Sequence, residues 1–159
     1  MKVTTRIFGE IDISDDKIIE FPDGIIGFPD LKKFTLIYDS EGEGSKAKKT
    51  ALMYLQSMDE PQFAMPVVMP DEIFPEYNPT INDDLLPDIG ELTEDNTYCL
   101  VTISVPKDIK KMTVNLKAPF IINTDTLRGC QLMVEDNVQV KAPIYDILAE
   151  RKANAGKEA

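Results

Sequence analysis

Tyr98-Cys-Leu-Val-Thr-Ile-Ser-Val105 and, six residues on, Met112-Thr-Val-Asn-Leu-Lys117 decide the fold class. Cys99, Val101, Ile103 and Val105 alternate with their neighbours, as do Met112, Val114 and Leu116 with Thr113, Asn115 and Lys117. A period of two places alternate side chains on one face of an extended chain, whereas a helix repeats every 3.6 residues. Working outward, the same period recurs at Val3, Thr5 and Ile7, at Ile11 and Ile13, and at Ile19 and Phe21. Phe34–Tyr38 and Thr50–Leu55 read as strands flanking the polar segment Asp39–Lys49. Phe63–Met69, Phe120–Asn123 and Gln131–Glu135 complete the set, with Val138 and Val140 as an extension. Pro66 lacks a backbone donor, which points to an edge or a bulge for its strand.

Helical signals are few. Asp30 is placed to cap a turn through Leu31-Lys32-Lys33, and Asn82 to cap Asp83–Ile89, ending at Gly90. Helix formers run from about Ile144 to Ala153. About ten short strands punctuated by glycine and proline predict a mostly β chain. The expected fold is an antiparallel β-barrel-like single domain with one or two short helices. Residues 1–146 form that domain, and 147–159 are expected as a short polar C-terminal helix or flexible tail. A chain of 159 residues with 43% apolar content has enough material for one sizeable core. No apolar run reaches the ~20 residues of a membrane helix, and the alternating N-terminus lacks a secretory signal. A cytoplasmic protein is expected, with its free form a monomer.

The net charge of −11 is concentrated in one stretch. Between Thr50 and Pro106 there are eleven carboxylates and no Lys or Arg; elsewhere 17 acids balance 17 bases. Such a field repels nucleic acid and membrane surfaces and attracts a basic partner, so a binding protein is the first reading. Six of the eleven prolines fall between Pro61 and Pro87. The centre of the acidic stretch, roughly Pro70–Asn96, is therefore expected to be an excursion from the sheet that exposes its acids on one side.

Chemistry is sparse. With no histidine, the chain lacks the commonest general base and every Ser-His or Cys-His pair. Gly24-Ile-Ile-Gly27 lacks the continuation of a phosphate-binding loop. Cys99 and Cys130 sit in apolar runs and read as buried thiols; two thiols without a histidine do not make a zinc site. Asp83, Asp84 and Asp88 lack the spacing of a calcium loop, and the first two suit a helix start. Lysines 46, 48 and 49 and lysines 107, 110 and 111 read as solvated loops. No enzyme, cofactor or metal is expected. A carboxylate-dependent hydrolase, a metal-binding protein and an acidic nucleic-acid mimic are the alternatives. Within the excursion, Ile73, Phe74 and Tyr77 either staple the loop to the core or serve as apolar anchors rimmed by charge.

Three phrases in register carry a further resemblance. They are Gly24-Ile-Ile-Gly-Phe-Pro-Asp-Leu-Lys-Lys-Phe34; Leu55-Gln-Ser-Met-Asp-Glu-Pro-Gln-Phe-Ala64 with Val67-Val-Met-Pro70; and Asn115-Leu-Lys-Ala-Pro-Phe-Ile-Ile-Asn123 with Arg128-Gly-Cys-Gln131. Together they resemble the FliW family of flagellar assembly factors, over about residues 2–146. The resemblance implies a small non-catalytic β-barrel-like protein of the cytosol with two partners, flagellin and the RNA-binding translational regulator CsrA. Flagellin occupancy would free CsrA to repress flagellin translation; release would return the protein to CsrA. The family motifs do not assign the binding residues. The expected partner-binding set, chosen from charge and exposure, is Asp71, Glu72, Phe74, Glu76, Tyr77, Asp83 and Asp84. Val68, on an edge-like strand, is the candidate receptor for an apolar flagellin segment.

Overall fold

The computed structural model describes residues 2–38, 53–81, 86, 88–147 and 149–150. Eleven strands occur among the described residues: β1 Lys2–Thr5, β2 Gly9–Asp12, β3 Ile19–Glu20, β4 Lys33–Tyr38, β5 Met53–Ser57, β6 Ala64–Val68, β7 Thr97–Ser104, β8 Thr113–Val114, β9 Phe120–Asn123, β10 Arg128–Gln131 and β11 Ala142–Pro143. Strands β1 and β2 form a separate hairpin. It lies over the sheet where the Phe8 ring meets Tyr54 edge-on at 5.4 Å.

Seven strands close a barrel in the order β3-β4-β5-β6-β7-β9-β10 and back to β3. The barrel expected from alternation is present. Its closing seam differs from the expectation, because β10 and β3 are parallel and share the single register pair Arg128↔Glu20. All other pairs around the barrel are antiparallel. The Glu20 amide, donating to the Leu127 carbonyl at 2.8 Å, reinforces that narrow seam.

The interior is filled by Phe21, Phe34, Leu55, Val67, Leu100 and Phe120, none of them exposed. Phe21 meets Phe34 and Phe120 edge-on, at 5.2 and 6.1 Å between ring centres, a geometry favoured by the ring quadrupoles.

Strand β7 is longer than the barrel requires, and both its faces are used. Leu100 points inward, while Val101 and Ile103 join a second apolar cluster outside with Val68, Val114, Leu116 and Ile144. A third cluster, Ile89, Ile121, Cys130 and Leu132, lies outside β9 and β10. Beyond the barrel, β7 continues into pairings with β8, and β8 with β11.

The three phrases quoted above build this frame. Gln56 is fully buried, and its Nε2 donates to the carbonyls of Ser57, Pro61 and Phe63. Asp59 Oδ2 accepts the Lys32 and Lys33 amides at 2.7 and 2.9 Å, tying the second phrase to the first. Gln131 Oε1 accepts the Ile26 amide at 2.9 Å, tying the third to the first. Gly24 has φ +70°, and a Cβ there would stand 2.4 Å from the Pro29 carbonyl oxygen, so only glycine fits.

Several local expectations are corrected. Residues 31–33 are not helical, because Asp59 rather than Asp30 satisfies the free amides. Of the expected helix 83–89, residues 86, 88 and 89 are described and none is helical; 82–85 and 87 lie outside the described residues. The strand placed at Gln131–Glu135 is three residues earlier, at Arg128–Gln131. Past it, Leu132 and Val134 donate to Pro119 and Lys117 across an irregular stretch. The last strand is Ala142–Pro143, not Val138–Val140. The polar segment 39–49 and residues 50–52 lie outside the described residues, as do 148 and 151–159; residues 145–147 and 149–150 are helical.

Candidate partner-binding surface

The excursion expected from the prolines exists, and it is a cover. A 3-10 turn at Pro70–Glu72 follows β6, with the Ile73 and Phe74 amides both donating to the Pro70 carbonyl. That turn drives Ile73 inward to 3% exposure and packs Phe74 and Tyr77 against the second cluster. The Tyr77 hydroxyl donates to the Leu116 carbonyl at 2.7 Å. Burial, with smaller contributions from Cys99 and Asp136, holds its phenol well above the usual range. Thr80 then fastens the chain to Asp136, donating from its amide at 2.9 Å and its hydroxyl at 3.1 Å. The Thr80 amide bond is the main reason the Asp136 carboxyl titrates below its ordinary range.

The second half of the cover packs Ile81, Leu86, Ile89 and Leu92 on the third cluster. Asn123, 1% exposed, clamps it: Nδ2 donates to the carbonyls of Ile89 and Glu91, while Oδ1 accepts the Asp125 and Thr126 amides. Asn96 closes the end, accepting the Thr93 amide at 2.6 Å and donating to the Glu91 carbonyl at 2.8 Å. Full burial of Ile73 and Ile89 contributes about 2–3 kcal/mol each by area removed from water.

With the apolar side chains turned in, the acids turn out. Asp71, Glu76, Asp88, Glu91, Glu94 and Asp95 are exposed. Among the described residues, the ion pairs that reach this set are limited to Arg128, 3.7 Å from Asp88 and also 3.7 Å from Glu20. Glu72 is half-buried, and its Oε2 is enclosed without a hydrogen-bond partner.

Asp71 and Glu76 are exposed, and Glu72 is partly withdrawn. Asp83 and Asp84 lie outside the described residues. Phe74 and Tyr77 are not free anchors; they are the staples. Val68 is 1% exposed, in the second cluster, and is not available at the surface. Its strand is interior, flanked by β5 and β7. Pro66 is tolerated because it faces Tyr54 of β5, whereas pairing with β7 starts only at Val67.

Cys99 is half-buried and Cys130 buried, both as free thiols. Burial pushes each up to about 12, with Asp71 adding to the first and Asp23 to the second. Among the described residues no group of three or more carboxylates and thiols is arranged to hold a metal ion. No helix of the described residues is long and apolar enough to cross a membrane. The sequence reading did not find a group of exposed apolar residues away from the cover, including Val105, Ile109 and Val140. Their signal was weak because they are single residues on separate turns.

Comparison with known proteins gives a consistent result. A family model described as FliW protein matches residues 2–144. The flagellar assembly factor FliW of Lachnospira eligens is 47% identical over 154 residues, covering 96% of this chain and 99% of that protein. The flagellar assembly factor FliW of Lachnoclostridium phytofermentans is 45% identical, with 95% of each chain covered. A crystal structure of the flagellar assembly factor FliW superposes with a TM-score of 0.80 at 27% identity, covering 91% of this chain and 97% of the other.

Proposed function

The chain belongs to the FliW family of flagellar assembly factors, and from that premise we propose that it acts without catalysis, in the cytoplasm, as a partner-switching protein. It binds flagellin and the translational regulator CsrA. Flagellin in excess occupies it and leaves CsrA free to repress flagellin translation; when flagellin is exported, the protein captures CsrA. The observation that carries this reading is the cover itself, whose apolar side chains are spent on the barrel while Asp71, Glu76, Glu91, Glu94 and Asp95 remain exposed.

A surface that holds RNA is basic. An acidic face gains Coulomb attraction to it and a faster encounter. It need not cover the RNA site: carboxylates within about one Debye length, ~8 Å in physiological salt, repel phosphates from the side.

The test neutralises Asp71→Asn, Glu76→Gln, Glu91→Gln, Glu94→Gln and Asp95→Asn together and leaves the half-buried Glu72 intact. At about 50 mM salt the variant is expected to bind CsrA at least ~10-fold more weakly and to displace its RNA poorly. The gap should narrow as salt rises. RNA displacement equal to the parent's at low and moderate salt refutes the electrostatic mechanism. Purified flagellin added to the parent complex should release CsrA; a stable ternary complex refutes the switch.

A further inference from the structure

At the Ser104 end of β7 lies a cleft of about 330 Å³ opposite in character to the acidic cover. The face of β7 that carries Leu100 inside the barrel continues past it as Thr102 and Ser104. Thr113 and Asn115 stand beside them, on the face of their strand opposite Val114. These four form a polar floor, rimmed by Lys111, Lys141 and the exposed side chain of Val140. The surroundings are basic: Ser104–Lys117 contains four lysines against the single acid Asp108. They are also apolar, with Val105, Ile109 and Val140 exposed at 51, 52 and 53%. The 3-10 turn Ile109–Lys111, capped by Asp108 accepting the Lys110 amide, fixes the lysine rim.

We propose that this cleft docks an extended acidic peptide segment of a partner protein, one that alternates carboxylates with aliphatic side chains. Thr102 and Ser104 are two strand positions apart, about 6.6 Å, which is the spacing of side chains along one face of an extended chain. The hydroxyls of Thr102, Ser104 and Thr113 both donate and accept, so they serve peptide N–H and C=O groups alike, while Asn115, whose Oδ1 already accepts the Lys117 and Ala118 amides, offers its Nδ2 as a donor. Lys111 and Lys141 take the carboxylates, and Val140 on the rim takes an aliphatic side chain. Nucleic acid fits less well. No aromatic or guanidinium group lines the cleft for base stacking, and the chain as a whole carries −11.

The cover packs nearby on the other face of the sheet: Phe74 and Tyr77 join the cluster of Ile103 and Val114, and Tyr77 bonds the carbonyl of Leu116, next to Asn115. Its acids oppose the attraction at low salt, so the attraction is local to Lys111 and Lys141. The site is independent of the CsrA reading and opposite to it in sign.

The experiment titrates the ¹⁵N-labelled full chain with acetyl-(Val-Asp)₄-amide, acetyl-(Val-Lys)₄-amide, inorganic phosphate and an octameric oligouridylate. The acidic peptide should shift the amides of Thr102, Ser104, Thr113 and Asn115 and lose at least ~10-fold in affinity in Lys111→Glu/Lys141→Glu. The milder pair Lys111→Gln/Lys141→Gln should lose at least ~3-fold and covers the case in which charge reversal disturbs the fold. Asp71→Asn/Glu76→Gln should bind the peptide at least as tightly as the parent while weakening CsrA binding, so failure here is distinguishable from failure of the cover mechanism. Shifts centred elsewhere, affinity unchanged in folded lysine variants, or affinity lost in the cover variant overturn the proposal. So does equal or tighter binding of phosphate, oligouridylate or the basic peptide at these amides.

Discussion

Asn123→Asp separates geometry from charge in the fastening of the acidic cover. Aspartate keeps the volume and the two accepted bonds, from Asp125 at 2.9 Å and Thr126 at 3.3 Å. It forfeits the two donated ones, to Ile89 at 2.9 Å and Glu91 at 3.2 Å, and sets an anionic oxygen against two carbonyls. Neither carbonyl is orphaned. Thr126 Oγ1 still donates to Ile89 at 2.7 Å and Asn96 Nδ2 to Glu91 at 2.8 Å. The cost is therefore two ordinary bonds at about 1 kcal/mol each plus the electrostatic cost, about 3–4 kcal/mol at neutral pH. The charge part is reversible, because a neutral carboxyl donates one bond and removes the repulsion. The folded-state pKa of the new carboxyl then rises above its unfolded value of ~3.9. A raised carboxyl destabilises fully above its folded pKa, and the penalty fades as pH falls through that pKa. For a rise of about two units, roughly 1 kcal/mol returns between pH 7.5 and pH 5.2. Urea unfolding of parent and variant, followed by far-UV circular dichroism at both pH values, measures this. A penalty that is equal at the two pH values, larger at pH 5.2, or absent at pH 7.5 refutes the clamp.

Three shorter predictions follow from burial and backbone geometry. Val68→Glu buries an unpaired carboxylate in the second cluster and should cost more than about 4 kcal/mol; a parent-like thermal melt would show that Val68 is not interior. Gly24→Ala, with φ +70° and a 2.4 Å clash, should destabilise by about 2 kcal/mol or more, whereas Gly27→Ala, with φ +86° and open space, should cost about 1. Reversal of that order in denaturant midpoints contradicts the geometry of the turn. Cys99 and Cys130, pushed up to about 12 by burial, should react with a disulfide reagent at pH 8 at least ~10-fold more slowly in the native protein than in urea; equal rates contradict their enclosure.

The strands were legible because alternation is local: Val101 and Ile103 declare a face whatever pairs with them. Closure was not, since the β10–β3 seam rests on one register pair between residues more than a hundred positions apart. Pro66 showed a missing donor but not which neighbour stops short of it, and that difference separates an edge strand from an interior one. The cover was legible as charge and proline, while the inward turn of Ile73, Phe74 and Tyr77 depends on β7 presenting Val101 and Ile103 outside the barrel. The lysine-rimmed cleft escaped because its rim joins residues 111 and 141, on segments that neither charge counting nor alternation connects. The polar face of Thr102 and Ser104 beside that of Thr113 and Asn115 was its one local signal.

The cover also explains why the acids and the prolines share one segment. β7 and β9 are apolar on both faces, with Leu100 inside and Val101 outside, Ile122 inside and Ile121 outside. A barrel alone buries only one of those faces, so something must seal the other. A further β-strand would do so at the cost of a new open edge that pairs with other chains. A proline-rich chain seals the surface through side chains while offering few backbone donors, and so adds no strand. Its outward positions are then free of any packing duty, and carboxylates there keep the surface hydrated. One segment thus meets the demand of the fold with its inward residues and presents a single-signed field with its outward ones. Loosening the clamp at Asn123 should therefore expose apolar surface and scatter the acidic face together.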